Sequence, residues 1–437
     1  MQLHRPPCDG IHSTGPLWVG AIRSTRSEPR GSGAQVRVVI VGAGIGGLTA
    51  AALLHRRGHQ VQLLERASGF GEVGAGLQLS PNGARVLAEL GLADTLADVG
   101  TTPTRVVFRR WQDDSVLLSR PMGAAAVERF GHPYYNVYRP DLIALLAQAA
   151  SDVPVRFRTI VTNVRNTDDG SAVTVDCSDG TQLSADVVIG ADGIHSRVRE
   201  SLSGPQRTRF SGWIAYRALV PRAEVPHLPV ETTNRVGPGS HVVSYFVGRE
   251  QRHFNLVYIV PEADWDVESW NEPGDLGELR AHFTEWSPQL NAILDHVSEP
   301  IFRWALHDRE PLERWSVGGI SLMGDACHPM VPFMAQGACQ AIEDAAVLAR
   351  CLDAVDPTDR SRIVSALIDY EATRKPRTSQ MQRGSFDNAT TFHFPDGPEQ
   401  QQRDEFFAAV SARDDSGLQA FASLYGYDAL TTPIVTP

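Results

Sequence analysis

The chain has 437 residues, 42% of them hydrophobic and 21% charged, and a formal net charge of -11. Its length allows more than one core region, its composition is that of an ordinary globular protein, and its acidic balance argues against a broad basic surface. No Lys/Arg cluster offsets that balance and no apolar run approaches the roughly 20 residues that cross a bilayer, so neither nucleic acid nor membrane is an expected partner.

Residues 1–34 contain Pro6-Pro7, scattered Arg and no sustained apolar stretch. They do not resemble a signal peptide and read as a loose N-terminal extension. Cys8, Cys177, Cys327, Cys339 and Cys351 form neither a CxxC pair nor a tight framework. That spacing fits a reducing compartment, so a cytoplasmic location is expected.

Residues 35–41 are mostly apolar and β-branched, as in a buried parallel strand. Gly42-Ala43-Gly44-Ile45-Gly46-Gly47-Leu48 follows, and then Thr49-Ala50-Ala51-Ala52-Leu53-Leu54, a strong helix former. Strand, glycine turn and helix in this order form a dinucleotide fingerprint. Gly42 serves the tight turn, Gly44 the approach of a pyrophosphate, and Gly47 the close packing of helix on strand, with the helix N-terminus facing the phosphate charge. Gly58 ends the helix, a second strand spans residues 60–64, and Glu65 at its end, beside Arg66, is suited to accept hydrogen bonds from a ribose. The motif points to a nucleotide but does not by itself separate FAD from NAD.

Residues 69–76 are too Gly-rich for a regular element and read as a loop, followed by a helix near 84–90 and short strands at 106–110 and 116–118. A helix begins at Tyr138-Arg139-Pro140-Asp141 and runs to about Ala150. Arg139 at its entrance suits a phosphate, a ribose or a flavin side chain, with a surface ion pair as the plainer alternative. Asp179-Gly180 marks a hairpin, and residues 186–190 read as a buried strand ending in Ala191-Asp192-Gly193. From about 209 to 261 the pattern becomes aromatic-rich alternation, the mark of an antiparallel sheet inserted between parts of the first domain. Residues 318–324 return to a buried strand that delivers Asp325 to a loop, and helices are expected at 340–352, 361–374 and 403–412.

Three separated segments, Gly42 to Gly47, Gly190-Ala191-Asp192-Gly193-Ile194-His195-Ser196-Arg197 and Gly324-Asp325-Ala326-Cys327-His328-Pro329, together resemble the group A flavoprotein aromatic monooxygenases of the para-hydroxybenzoate and salicylate hydroxylase superfamily. Met334-Ala335-Gln336-Gly337-Ala338, Glu343-Asp344-Ala345 and Tyr425-Gly426-Tyr427-Asp428 are most similar to its salicylate and 6-hydroxynicotinate hydroxylase-like branch. The resemblance covers roughly residues 35–430. It implies an α/β Rossmann-like FAD-binding domain, from residues 35–104, 137–208 and 302–385, with an inserted mixed or antiparallel-sheet substrate domain from 105–136 and 209–301. Residues 386–437 are expected to pack on the FAD domain.

The same resemblance implies FAD as cofactor and NADH or NADPH as co-substrate. Gly42, Gly44, Gly47, Glu65 and Arg66 then belong to the ADP site, and Arg139 contacts FAD. Asp192 serves FAD and the transient NAD(P)H encounter, Asp325 binds the ribityl chain, Pro332 lies close to the isoalloxazine, and Gln336, Gly337 and Ala338 meet the pyrimidine edge. A carboxylate suits ribityl hydroxyl donors, and N–H groups at a helix start suit the charge of a reduced flavin. His328 is open between a structural role and one near flavin or substrate. No HExxH or Cys/His ligand cluster appears, so no metal is expected, and the absence of GxSxG argues against an acyl-transfer hydrolase.

The implied reaction is hydroxylation of a small phenolic acid by O2 through a flavin C4a-hydroperoxide, on a hydroxybenzoate or aminohydroxybenzoate. Decarboxylative hydroxylation of a salicylate or 6-hydroxynicotinate type substrate is the alternative, and FAD oxidoreduction without oxygen insertion a further one. Residues two apart in a strand share a face, so Trp213 and Arg217 point one way and Tyr216 the other. Tyr216 is placed near the ring, with core packing as its alternative, and Arg217 pairs with a substrate carboxylate, guides the flavin or forms a structural ion pair. Salicylate-like relatives often carry His where this chain has Trp213, which cannot accept a phenolic proton. Tyr216, His241 and His328 are the alternative groups for that step. A monomer or homodimer is expected.

Overall fold

The computed structural model describes residues 35–71, 74–263, 265, 272–353, 355–412 and 418–437. The expected N-terminal extension, Cys8 included, lies outside them.

Five parallel strands form one sheet, in the order Ile320–Leu322, Val187–Gly190, Arg37–Val41, Gln60–Leu64 and Val155–Arg156. Their nearly unbroken apolar runs follow from burial on both faces. Helices Ile45–Arg56, Arg139–Ala149 and Gly337–Cys351 share its core, as do Val161, Val164, Val173 and Val175 of a three-stranded antiparallel sheet. The register sets Val41 beside both Leu64 and Gly190, and Gly190 beside Leu322. The carboxyl ends of four strands are therefore level. Gly42, Glu65, Ala191 and Met323 leave the sheet along one edge, where open α/β sheets bind their ligands.

The second sheet has eight strands, in the order Glu272–Pro273, Phe302–Asp308, Arg209–Pro221, His253–Pro261, Ser240–Val247, Thr232–Gly237, Arg105–Arg110 and Val116–Pro121. All neighbours are antiparallel except Thr232–Gly237 and Arg105–Arg110. Phe302–Asp308, expected in the FAD domain, instead pairs with the long strand Arg209–Pro221, so the chain leaves this sheet later than the sequence reading places it. One face carries Ile214, Tyr216, Val242, Tyr258 and Val260 against helices Leu276–His282 and Pro288–Leu294. The other faces the cavity described below.

Helix Arg360–Phe392 runs 33 residues through Pro376, well past the expected end near Arg374. Proline removes one helical N–H, but Arg374 and Arg377 on either side are pinned by Glu343 and Asp344, and this tertiary contact outweighs the local break. The C-terminal segment does not pack on the FAD domain alone. Phe407 and Val410 join Phe108 and Leu118 of the large sheet, whereas Ala429 joins the parallel-sheet core.

Candidate active site

The glycine turn has the geometry its residue types demand. Gly42 has φ +102°, and a Cβ there would strike the Ala191 backbone; one on Gly47 would strike the carbonyl oxygen of Gly42. Gly44 differs: a Cβ there would meet nothing within 4 Å, and the residue lines a cavity. Protein packing does not explain that glycine, but close approach of a ligand does. Glu65 accepts hydrogen bonds from Ala43 N at 2.9 Å and Ala67 N at 2.8 Å, which fixes its carboxylate beside the turn. Arg66 is exposed and does not line the cavity.

The cavity has a volume of about 340 Å³ and runs from this turn to the large sheet. Ala191 and Gly193 border it, but the Asp192 carboxylate turns to the next helix, accepting from Ser196 Oγ at 2.5 Å and from Arg197 N and Val198 N at 2.7 and 3.2 Å. Asp192 thus shapes the cavity loop by capping the next helix, and it is not among the residues that line the cavity.

Asp325 is the converse case. Its side chain is enclosed by protein yet accessible, because it projects into the cavity, and no protein donor bonds its carboxylate among the described residues. Burial raises its pKa, opposed by the charges of His328 and Arg139. An acceptor left over in a cavity needs a donor, and the hydroxyls of a ribityl chain supply one. Arg139 lines the same cavity at the start of its helix. Gly337 and Ala338, the first residues of helix Gly337–Cys351, also line it, where first-turn N–H groups have no intrahelical acceptor. The Gln336 side chain turns away, donating to Ser80 Oγ at 2.9 Å and accepting from Asn82 Nδ2 at 3.1 Å. Pro332 lines the cavity in a short turn closed by Ala335 in the left-handed region, φ +53°.

These residues fit FAD. An unbonded carboxylate suits the polyol, an open glycine turn the pyrophosphate, and a helix N-terminus the electron-rich edge of the flavin.

His328 lies outside the cavity lining. It is wholly buried, with Nε2 at 2.6 Å from Asp344 Oδ2, and Asp344 also accepts from Gly324 N at 3.0 Å and Arg374 Nε at 2.7 Å. Arg374 continues to Glu343 at 2.6 Å, which Asn82 and Arg377 also reach. Burial pushes the Asp344 carboxyl up, but His328 and Arg374 outweigh it and bring it down to about 2. The network holds the Gly324–Asp325 turn from behind, so a catalytic His328 is replaced by a supporting one. Cys327, His328 and Asp344 form a compact group of potential metal ligands, but the Asp344 oxygens already accept from His328, Gly324 and Arg374.

On the large sheet, strand register brings Arg217, Val257 and Val243 to one row and Ile259 and His241 to the next, all lining the cavity with Tyr245 and Trp304. The Arg217 guanidinium lies 3.6 Å over the Trp304 ring. Tyr216, expected near the reacting ring, faces the opposite side of the sheet and packs in the core with Tyr258 and Val242. Alternation separates it from Arg217, and only one of the two can face the cavity. Trp213 sits behind the lining, donating to Gly239 O at 3.2 Å and packing against Phe333 and His393. His393, singled out by no sequence motif, bonds His241 at 2.7 Å. Tyr245 and His241 are two apart from Val243 on one strand, so period-two alternation is the signal that groups them.

A two-domain flavin-binding architecture with a cavity between its sheets defines the class. The family model described as "FAD binding domain" matches residues 35–385. The chain is 40% identical to 3-amino-4-hydroxybenzoate 2-monooxygenase of Streptomyces platensis over 396 residues, covering 90% of this chain and 96% of that protein. It is 40% identical to 6-hydroxynicotinate 3-monooxygenase of Pseudomonas fluorescens over 356 residues, covering 80% and 91%. Klebsiella pneumoniae HpxO, solved with FAD and uric acid, superposes with a TM-score of 0.75 at 27% identity, covering 86% of this chain and 93% of that one. The chain belongs to the FAD-binding domain family, and it is an FAD-dependent monooxygenase that uses NADH or NADPH as co-substrate.

Proposed function

We propose that this chain hydroxylates the ring of a small phenolic carboxylic acid, foremost a hydroxybenzoate or aminohydroxybenzoate. The observation that carries the reading is the pairing of walls across one cavity. Asp325 and the first turn of Gly337–Cys351 suit the flavin on one side, and Arg217, Trp304, Tyr245 and His241 suit a flat anionic ring on the other. When bound, FAD takes hydride from NAD(P)H and activates O2. The chain's own residues orient the ring, neutralise its carboxylate through Arg217 and keep water from the reacting atoms. The name of the Streptomyces relative, a 3-amino-4-hydroxybenzoate 2-monooxygenase, supports the aminohydroxybenzoate reading.

A second reading, decarboxylative hydroxylation, is favoured by an equal identity to the 6-hydroxynicotinate enzyme. A substrate panel separates the two. NADH and NADPH oxidation, O2 uptake, CO2 release and product mass are measured for each phenolic acid. Ring hydroxylation gives a product heavier by one oxygen without CO2, and stoichiometric CO2 release favours the second reading.

No helix among the described residues is long and apolar enough to cross a membrane, and their four cysteines are unpaired. The cysteines support a cytoplasmic location, and we infer a monomer or homodimer, which sedimentation of the FAD-loaded protein tests.

A further inference from the structure

This inference deepens the proposed function and rests on its phenolic substrate. His241, on strand Ser240–Val247, lines the cavity, and its Nδ1 lies 2.7 Å from Nε2 of His393, 152 residues away at the end of the long helix. The other nitrogen of His241, Nε2, bonds no protein group among the described residues. Nδ1 of His393 is buried and has no hydrogen-bond partner among the described residues. Aromatic rings enclose the pair: Phe333 and Phe392 meet His241 edge-on at 5.0 and 5.4 Å, and Trp213 lies over His393 at 5.1 Å and 35°. Trp213 takes no proton itself, because indole only donates and its N–H is committed to Gly239.

Around His241, the strand neighbours Val236 and Ile259 and the rings of Phe333 and Phe392 are uncharged. The charged groups that line the cavity with His241 are Arg217, Arg139 and Asp325, and His282 is engaged with Ser240 Oγ at 2.8 Å. No carboxylate bonds either imidazole among the described residues. The pair is therefore not built as a structural ion pair. One nitrogen opens on the cavity, and the two that join the rings are at hydrogen-bonding distance.

We propose that His241 and His393 form a two-imidazole relay that accepts the phenolic proton of the substrate. In the serving tautomer, His241 carries its proton on Nδ1 and donates it to Nε2 of His393, leaving His241 Nε2 bare. The phenol O–H bond breaks as its proton passes to His241 Nε2, while the Nδ1 proton passes to His393 Nε2. Neutral phenol and two neutral rings become a phenolate and one imidazolium, now on His393. Charge is conserved, and the cation is moved one ring away from the phenolate that must stay electron-rich.

Burial, and for His241 also the neighbouring imidazole, hold both rings below their ordinary range, His393 at about 3. Both therefore start neutral at neutral pH. A phenolate formed beside them offsets the cost of the positive charge, and the face of Trp213 favours a cation on His393.

The test uses the FAD-loaded protein, its visible flavin spectrum confirming a folded site, with 3-amino-4-hydroxybenzoate and 4-hydroxybenzoate as probes. Ultraviolet difference spectra across pH report the ionisation of the bound phenol without turnover. Wild type is expected to lower the phenol pKa by about one unit or more, a tenfold shift in the ionisation equilibrium. His241→Asn abolishes the shift. His393→Asn, which keeps a hydrogen-bonding side chain but cannot carry the proton, loses most of it while substrate Kd is retained; a purely structural His393 would be rescued by Asn. A wild-type shift in His393→Asn overturns the relay, as does one in His241→Asn. Failure of wild type to bind any phenolic acid overturns the substrate reading and the relay with it, a result distinct from binding with an unshifted pKa.

Discussion

Replacing Asp325 by Asn has two effects of opposite sign. In the FAD-bound protein the substitution removes charge-assisted hydrogen bonds to the ribityl hydroxyls, about 1.5–3 kcal/mol, or roughly 10- to 150-fold in FAD Kd. In the apoprotein the same carboxylate has no protein donor among the described residues, and burial raises its pKa against the pull of His328 and Arg139. The folded apoprotein then binds this proton more tightly than the unfolded chain does. Its stability falls as pH rises through the folded pKa. Asn carries no such penalty, so Asp325→Asn apoprotein gains on wild type between acid and neutral pH. Flavin-fluorescence titration measures the first effect and urea unfolding of apoprotein at two pH values the second. Unchanged FAD affinity together with a less stable apoprotein would refute the assignment of Asp325 to the cofactor.

Gly47→Ala, which meets the carbonyl oxygen of Gly42, is expected to cost the apoprotein about 1–3 kcal/mol of unfolding free energy. Gly44→Ala meets no protein atom within 4 Å, so it is expected to change apoprotein stability by less than about 1 kcal/mol while weakening FAD binding, both read by the same titrations. Arg217→Met is expected to raise KM for a carboxylated phenol by about 30-fold or more and to leave that of the carboxylate-free phenol unchanged in steady-state assays. Asp344→Asn breaks a buried network and should destabilise by about 3–5 kcal/mol in urea unfolding. Because the Asp344 carboxyl is held down to about 2, its contribution is present above the unfolded carboxylate range and is lost as pH falls toward that value.

Local chemistry made the nucleotide unit legible. A strand, a turn needing Gly42 and a helix packed on Gly47 are all close in sequence, and each residue type answers to a backbone requirement. Alternation likewise separated Tyr216 from Arg217, but period two states only that they face opposite ways. Which face meets the cavity depends on helices Leu276–His282 and Pro288–Leu294 covering the Tyr216 side. The end of helix Arg360–Phe392 was hidden for a similar reason, since the Pro376 signal is local and the Glu343–Arg374 contact that overrides it is not. Asp192 and His328 stand in motifs that resemble cofactor segments, yet their side chains cap a helix and brace a turn. The resemblance locates the backbone more securely than the direction of each side chain. The His241–His393 contact joins a strand to the end of a helix 152 residues later, and no spacing rule relates the two.

Turnover under labelled O2 is the most direct test of oxygen insertion at this cavity. FAD-loaded protein is supplied with NADH or NADPH and a panel of hydroxy- and aminohydroxybenzoates, and each product is analysed by mass spectrometry. The expected result is a hydroxylated ring carrying one labelled oxygen, formed in step with NAD(P)H oxidation. Oxidation of NAD(P)H that yields only peroxide, with no label in any aromatic product, would contradict it.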